Sequence, residues 1–190
     1  MDFSTHIQSQ DKQTGVALIF TMIFLGLMVA GGLVSIQLSS LQQKMASSYR
    51  TSQNAFISAE VALKEAEQCV KDEAACSSLS NFVSNCSFGL CFTGSDKNSI
   101  PSCRTGSTQS WDNAALWEDS TRTIEATTLA GTGTSAKYII EFICYVPKTL
   151  HGVTPSPSNP GDWSRLYRIT VLASVDNQSN RVMLQSTYKL

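Results

Sequence analysis

The most pronounced feature of the chain is an uninterrupted apolar run near its amino end. From Val16 to Ile36 no residue is charged and none is proline, and the only hydroxyl groups belong to Thr21 and Ser35. As an α-helix rising about 1.5 Å per residue, this run extends roughly 32 Å, which matches a bilayer hydrocarbon core of about 30 Å. The pattern therefore predicts a membrane-spanning helix over 16–36.

A cleaved secretory signal peptide is a competing interpretation of the same run. The apolar region of such a peptide is usually about 7–15 residues long, and small residues that permit cleavage follow it. Residues 35–40 supply small side chains, so the residues alone leave that cleavage open. Against it, the helical pattern continues beyond Ile36 instead of stopping there.

Beyond Ile36, apolar residues recur at steps of three, four or seven positions, as they do on one face of an α-helix. The first proline in the chain is Pro101, so no proline interrupts this segment. The pattern predicts one helix over about 16–70, roughly 80 Å long, apolar all round at first and amphipathic afterwards. The stripe consists of Leu38, Leu41, Met45, Tyr49, Phe56, Ala59, Leu63, Ala66 and Val70.

After the helix, the sequence consists of short segments rich in Ser, Thr, Asn and Gly, which is typical of loops and short elements. Strands are predicted over 138–146, 166–175 and 181–188, and the β-branched residues of 121–128 favour a further strand. The proline-rich 150–161 is predicted to be an exposed loop. Polar residues in the second of these strands fall mainly on one alternate set, so one face should be buried against the amphipathic part of the helix. The predicted fold class is α+β, a long N-terminal helix packed on an antiparallel sheet.

Charge and reactive residues exclude several classes of function. The formal net charge of the 190-residue chain is −1, and the basic residues form no cluster, which argues against direct binding of nucleic acid. The two histidines are His6 and His151, and neither lies beside an acid or nucleophile pattern that suggests a triad. We therefore predict no catalytic residues, no enzymatic activity and no cofactor.

All six cysteines follow the apolar run, which is typical of a domain in an oxidising compartment. No CxxC pair occurs, so neither thioredoxin-like redox chemistry nor a common zinc-binding spacing is indicated, and no metal site is predicted. The sequence does not select one pairing of the cysteines. The working hypothesis joins neighbours in sequence, as Cys69–Cys76, Cys86–Cys91 and Cys103–Cys144.

Three blocks of the sequence resemble a known family. Gly15 followed directly by Val-Ala-Leu-Ile, behind a short polar segment, resembles the cleavage site of a type IV prepilin. The segments 41–46 and 55–67 closely resemble the minor pilin PilX, and 167–170 and 182–188 are similar to the same family. The chain is thus identified as resembling PilX-type minor pilins at both ends, and the implied fold is pilin-like.

The resemblance implies a division of the chain and a processing step. Residues 1–15 would be a cytoplasmic leader, which prepilin peptidase removes between Gly15 and Val16, with an added amino-terminal methyl group. Residues 16–36 would span the inner membrane. Residues 71–190 would form a periplasmic domain tied by disulfides.

The distribution of basic residues alone favours the opposite orientation slightly. Lys12 lies before the span, whereas Lys44 and Arg50 follow it, and basic residues usually stay on the cytoplasmic side. The position of the cysteines and the cytoplasmic leader implied by the resemblance outweigh this preference.

Several residues of the apolar run are predicted to take part in subunit packing. Phe20 is the fifth residue after the expected cut, where major pilins generally carry a glutamate thought to meet the amino terminus of a neighbour. PilX-like proteins and the GspK pseudopilin commonly lack that glutamate, and the hypothesis drawn from the resemblance is a position at or near the filament tip. The alternative is a membrane-anchored subunit that assembles by apolar packing alone. Gly26 and Ala30 form part of a small-residue track that lets helices approach closely, and we hypothesise that Gly31 and Gly32 let the helix bend in a filament, although ordinary glycine content of membrane helices is an equal alternative.

The implied function is structural. The resemblance suggests a subunit that helps to initiate type IV pilus assembly and supports twitching motility and adhesion. Its partners would be other minor pilins, the major pilin, a large tip adhesin and the inner membrane. The alternatives are a GspK-like minor pseudopilin of type II secretion and a membrane-tethered periplasmic binding domain.

Overall fold

The structure is a computed structural model, and it contains two compact units, Met1–Ser48 and Tyr49–Leu190. We call the second of them the folded unit. The described residues are 14–72, 76, 78–94, 96–101, 109–129, 133–149, 152, 154–175 and 180–190.

The predicted long helix is present as α1 (Thr14–Lys71). In the first unit, the side chains of residues 15–48 are all exposed. By length and composition, α1 is the one helix in the described part of the chain that could cross a membrane.

The folded unit contains a sheet of five strands. They are β1 (Leu90–Cys91), β2 (Ile124–Glu125), β3 (Thr134–Pro147), β4 (Trp163–Val175) and β5 (Asn180–Lys189). The strand order is β1-β3-β4-β5, and β2 also pairs with β3. A short helix, α2 (Ala114–Glu118), precedes β2 and begins at Asn113, whose side chain accepts a hydrogen bond from the Ala115 backbone N–H.

The predicted strands are confirmed, with a difference in sheet type. Strands β3, β4 and β5 form an antiparallel meander, as expected. However, β1 pairs with β3 in parallel, so the sheet is mixed rather than wholly antiparallel. The chain between β1 and β3 is long enough for the crossover that a parallel pair requires, and the pairing comprises only two residues.

The core of the folded unit lies between α1 and one face of the sheet. The helix contributes small side chains at helical spacing, and β3 and β4 contribute large ones at alternate positions. Tyr49 and Phe56 of the predicted stripe are exposed instead, because the buried face of the helix is centred on alanines that allow close approach to the sheet. The fully buried helix residues are Ala55, Ala59, Ala62, Ala66 and Val70.

A second, smaller cluster covers the opposite face of β3. It contains Ile139 of β3, Leu116 and Trp117 of α2, and the cysteines Cys86 and Cys91. Because side chains alternate along a strand, Ile139 points away from α1 while its neighbours point toward it. The loop between β1 and β3 is thereby fixed to the outer face of the sheet.

Candidate assembly surfaces

The apolar half of α1, residues 16–36, carries the predicted subunit-packing positions and presents all of them on its surface. Phe20 is 68% exposed. A methyl group in place of the Gly26, Gly31 or Gly32 hydrogen would have no neighbour within 4 Å, and Ala30 is exposed as well. Nothing in the described chain packs against these residues, so any partner for them must come from outside it.

The hydroxyl groups in the apolar half are satisfied within the helix. The Thr21 hydroxyl donates to the carbonyl oxygen of Leu18 at 2.8 Å, and the Ser35 hydroxyl donates to that of Gly31 at 2.9 Å. Such bonds remove the polar groups that would be costly in lipid or among apolar helices. Helix α1 is continuous through Gly31 and Gly32 in the single chain, and the hypothesis of bending concerns the assembled filament.

The predicted processing site lies at the edge of the described residues. Gly15 and Val16 are the second and third residues of α1 as it is described, and Val16 is exposed. The leader prediction for residues 1–13 lies outside the described residues.

Two disulfides tie the folded unit together. One joins Cys69 near the end of α1 to Cys76, and the other joins Cys86 to Cys91 across a separation of 5 residues. Both pairings agree with the working hypothesis from the sequence. The third expected pairing, with Cys144, stays a prediction because Cys103 lies outside the described residues.

A buried ion pair on the sheet was not anticipated from the sequence. Glu141 of β3 lies directly opposite Arg168 of β4, and the Arg168 Nε donates to the Glu141 Oε2 at 2.7 Å. Glu141 is 2% exposed. The signal was a lone carboxylate in the middle of an otherwise apolar strand. Such a pair adds little net stability but disfavours any register that would separate the two charges.

A carboxylate also lies near the seam between α1 and the sheet. Glu65 Oε1 accepts hydrogen bonds from the backbone N–H and the hydroxyl of Thr127, at 3.0 and 3.2 Å. Burial, and secondarily the negative charge of Glu65, raise the pKa of Tyr138 to about 12. Burial likewise raises the pKa of Tyr167. These shifts stabilise neutral phenols in the core and supply no general acid or base at neutral pH.

Two tryptophans border a cavity on the folded unit, and their indole N–H groups are bonded within the protein. A cavity of about 500 Å³ on the outer face of the sheet is bordered by Trp111, Trp117 and Lys137. The Trp111 indole N–H donates to the side chain of Gln109, and that of Trp117 donates to the carbonyl oxygen of Trp111, both at 2.9 Å. Lys137 Nζ donates to the carbonyl oxygen of Trp117 at 3.2 Å. The polar groups of the cavity thus secure α2 against the sheet.

No cluster of three or more His, Cys, Asp or Glu side chains that could hold a metal ion occurs within the described residues. The large apolar side chains of α1 between Val16 and Ile36 are each more than half exposed and form a continuous apolar surface, which is suited to association.

Comparison with known proteins agrees with this description. Residues 83–190 match the family model described as Type IV pilus assembly protein PilX C-term, and residues 14–64 match that described as PilX N-terminal. No curated protein and no solved structure gives a significant match. The first of these matches alone covers more than half of the chain, and the second covers most of α1. The chain therefore belongs to the PilX family of type IV pilus proteins and has the role of a minor pilin.

Proposed function

We propose that this minor pilin helps to initiate type IV pilus assembly from the inner membrane and occupies a position at or near the pilus tip. The two family matches support a role in pilus assembly. The observation that carries the proposal is the apolar half of α1, where a run long enough to cross a bilayer is exposed all round. Such a surface is compatible with lipid before assembly and with other pilin helices after it.

We propose the same division of the chain that the sequence suggested. Residues 1–15 are a cytoplasmic leader, 16–70 form the long helix with 16–36 in the membrane, and 71–190 form the periplasmic domain. The disulfides Cys69–Cys76 and Cys86–Cys91 support export of that domain, because such bonds persist in oxidising compartments.

Intact mass of the protein from native membranes tests processing. We expect the mass of a chain that begins at Val16, with an added methyl group, since prepilin peptidase would cut after Gly15. Alkylation should label cysteines only after reduction. A chain that retains residues 1–15 would contradict the pilin pathway and favour a tethered periplasmic domain, and a cut after Ile36 would favour a secreted protein.

Phe20 supports the position at the tip. In this proposal a subunit without a carboxylate at position 20 lacks the bond to a neighbour's amino terminus that recruits shaft subunits. Phe20→Glu should therefore increase the number of copies in sheared pili, whereas Phe24→Glu, one helical turn later, should not. Quantitative mass spectrometry of purified pili measures both, and unchanged stoichiometry in Phe20→Glu would count against the tip position.

The proposed partners are other minor pilins, the major pilin and a large tip adhesin. A deletion strain complemented with the full-length gene provides the functional test. We expect the deletion to lose piliation and twitching motility, with adhesion falling as a consequence. A deletion strain with normal pili would contradict the role in initiation, and a strain that loses secretion of proteins instead would favour the pseudopilin alternative.

A further inference from the structure

The loop closed by the disulfide Cys86–Cys91 holds an aromatic side chain in an unusual backbone conformation. Phe88 has a φ of 51°, Cys86 a φ of 60° and Gly89 a φ of 71°. Glycine adopts positive φ readily, but a bulky residue there is a genuine outlier. A conformation of this kind persists only where the surrounding structure imposes it, and such outliers concentrate at functional sites.

Several contacts hold Phe88 in this backbone conformation. The Phe88 N–H donates to the carbonyl oxygen of Thr121 at 2.8 Å, and the Gly89 N–H donates to that of Cys86 at 3.0 Å. Arg122 Nε donates to the carbonyl oxygen of Asn85 at 2.7 Å. Both ends of the loop are anchored, because the two cysteines are buried in the outer cluster.

Close packing holds the next residue in place as well. A Cβ atom on Gly89 would lie 2.7 Å from Cγ1 of Ile124, so only glycine fits this close approach. The loop is therefore fixed by the disulfide, by hydrogen bonds to the 119–122 segment and by packing against β2.

The result is a rigid loop that directs its aromatic ring into solvent. Phe88 is 76% exposed, the highest value for a large apolar side chain among the described residues of the folded unit. The ring contributes little to the core, yet its residue is held in an unfavourable backbone conformation that leaves the ring exposed. An aromatic side chain held on a rigid support is the typical anchor of a protein–protein contact.

We propose that Phe88 is the anchor of a contact with another pilin subunit and inserts into an apolar pocket on that subunit. The neighbouring side chains Asn85, Ser87 and Thr121 are uncharged. The charged groups beside them are of opposite sign, since Arg122 is bonded to the loop and Asp119 accepts hydrogen bonds from Thr121. A single aromatic residue with a polar rim and no basic cluster fits a protein pocket, whereas a membrane surface or a nucleic acid would require several basic residues. Membership of a pilus assembly family indicates that the partner is a pilin. This inference rests on the proposed function and specifies one of its contacts.

Two variants distinguish the effect of the aromatic ring from the effect of the strained backbone conformation. Phe88→Asn removes the ring and introduces a residue that tolerates positive φ. We expect its thermal midpoint to rise by about 2–6 °C because strain is relieved, while pili become at least about tenfold fewer because the contact loses its anchor. Phe88→Tyr keeps both the ring and the strain, and it should match the wild-type chain in both measurements. Tryptophan fluorescence of the full chain in detergent micelles gives the midpoint, and electron microscopy of the complemented deletion strain gives the number of pili.

A photo-crosslinking residue identifies the partner directly. Phe88→p-benzoylphenylalanine in the full-length protein, irradiated in living cells, should yield a product with a second protein that carries a prepilin leader in its gene. A product with lipid or with a protein that is not a pilin, or no product at all, would overturn the inference. So would a Phe88→Asn chain that is less stable than wild type, because the ring would then serve the fold.

The outcomes also separate this inference from the proposed function. If the deletion strain itself forms normal pili, the role in pilus initiation fails. If the deletion strain lacks pili but Phe88→Asn restores them fully, only the anchor role of Phe88 fails.

Discussion

The two halves of helix α1 use opposite kinds of side chain for contact. Between Val16 and Ile36 the large apolar residues are exposed on every side, and nothing else in the described chain covers them. In the folded unit the same helix buries a face made almost wholly of alanine, with large residues such as Phe56 left outside it. In the folded unit small side chains mark the face that packs against the sheet, whereas between Val16 and Ile36 large and small side chains alike are exposed.

The difference has a physical basis in what each half must contact. Alanine lets the helix approach the large side chains of the sheet, such as Phe142 and Tyr167, without forming voids. Lipid tails are as apolar as leucine, so large apolar side chains need no protein neighbour on a helix in that environment. Helix α1 therefore buries one face within the folded unit, and its large apolar side chains between Val16 and Ile36 stay exposed in the single chain.

The largest expected difference between the two halves is the effect of an introduced charge on the stability of the folded unit. Ala62 is fully buried against the sheet, so Ala62→Asp would bury an unpaired carboxylate and should destabilise the folded unit by about 4 kcal/mol or more. Ala30→Asp should leave that unit within about 0.5 kcal/mol of wild type, although inserting the span into a bilayer would cost about 2.5–3.5 kcal/mol more.

Urea unfolding of the full chain in detergent measures this contrast. All three tryptophans lie within the folded unit, so their fluorescence reports on that unit alone. Equal unfolding midpoints for Ala62→Asp and wild type would show that the alanine face is not the packed face of the helix.

Replacing a glycine by alanine should change stability in opposite directions in the two regions, by smaller amounts than a charge does. Gly89 has positive φ and lies against Ile124, so Gly89→Ala should destabilise the folded unit by about 2 kcal/mol through strain and overlap. Gly31 lies in open space on the exposed helix, and Gly31→Ala should instead favour the helix by about 1 kcal/mol. Thermal unfolding followed by tryptophan fluorescence should show a lower midpoint for Gly89→Ala only. A similar loss in Gly31→Ala would mean that the apolar half contributes to the stability of the folded unit.

The long helix and the three long strands could be predicted from the sequence because each has a periodic pattern within its own residues. The helix was predicted over about 16–70 from its periodicity and the absence of proline, and it is observed as Thr14–Lys71. Strand β3 begins at Thr134, earlier than the predicted start at 138. Residues 134–137 have no strong strand signal of their own and extend the strand because β4 lies opposite them and β2 pairs at Lys137. Strand β2 lies inside 121–128, where β-branched residues predict a strand, but only two of those residues pair with β3. The two-residue strand β1 has no signal of its own, since β3 supplies its pairing.

The surfaces for assembly could be predicted only in part. The residues around Phe20 belong to an apolar run that is visible in the sequence. The role of Phe88 is not visible there, because its exposure depends on a disulfide and on a hydrogen bond to Thr121, which is distant in sequence. The pairing of Glu141 with Arg168 likewise depends on strand register, which an isolated strand pattern does not determine.

The smallest expected difference between the two halves is in how stability depends on alkaline pH. Residues 16–43 contain no ionisable side chain, so the dependence of stability on alkaline pH belongs to the folded unit. There, burial raises the pKa of Tyr138 to about 12 from its ordinary value of 10.0. Between these two values the unfolded chain releases the phenolic proton while the folded chain keeps it. The unfolded state then binds fewer protons, so the free energy of unfolding falls as the pH rises.

Tyr138→Phe removes this single titration and leaves the other tyrosines and lysines in place. The stability advantage of wild type over Tyr138→Phe should therefore be constant below pH 9 and decrease between pH 10 and 12, by less than about 1.4 kcal/mol per pH unit. Urea unfolding of both full-length chains at a series of pH values measures the difference, in which titrations common to the two chains cancel. Parallel stability curves up to pH 12 would mean that the Tyr138 phenol ionises as readily in the folded chain as in the unfolded one, and that the seam beside the alanine face admits water.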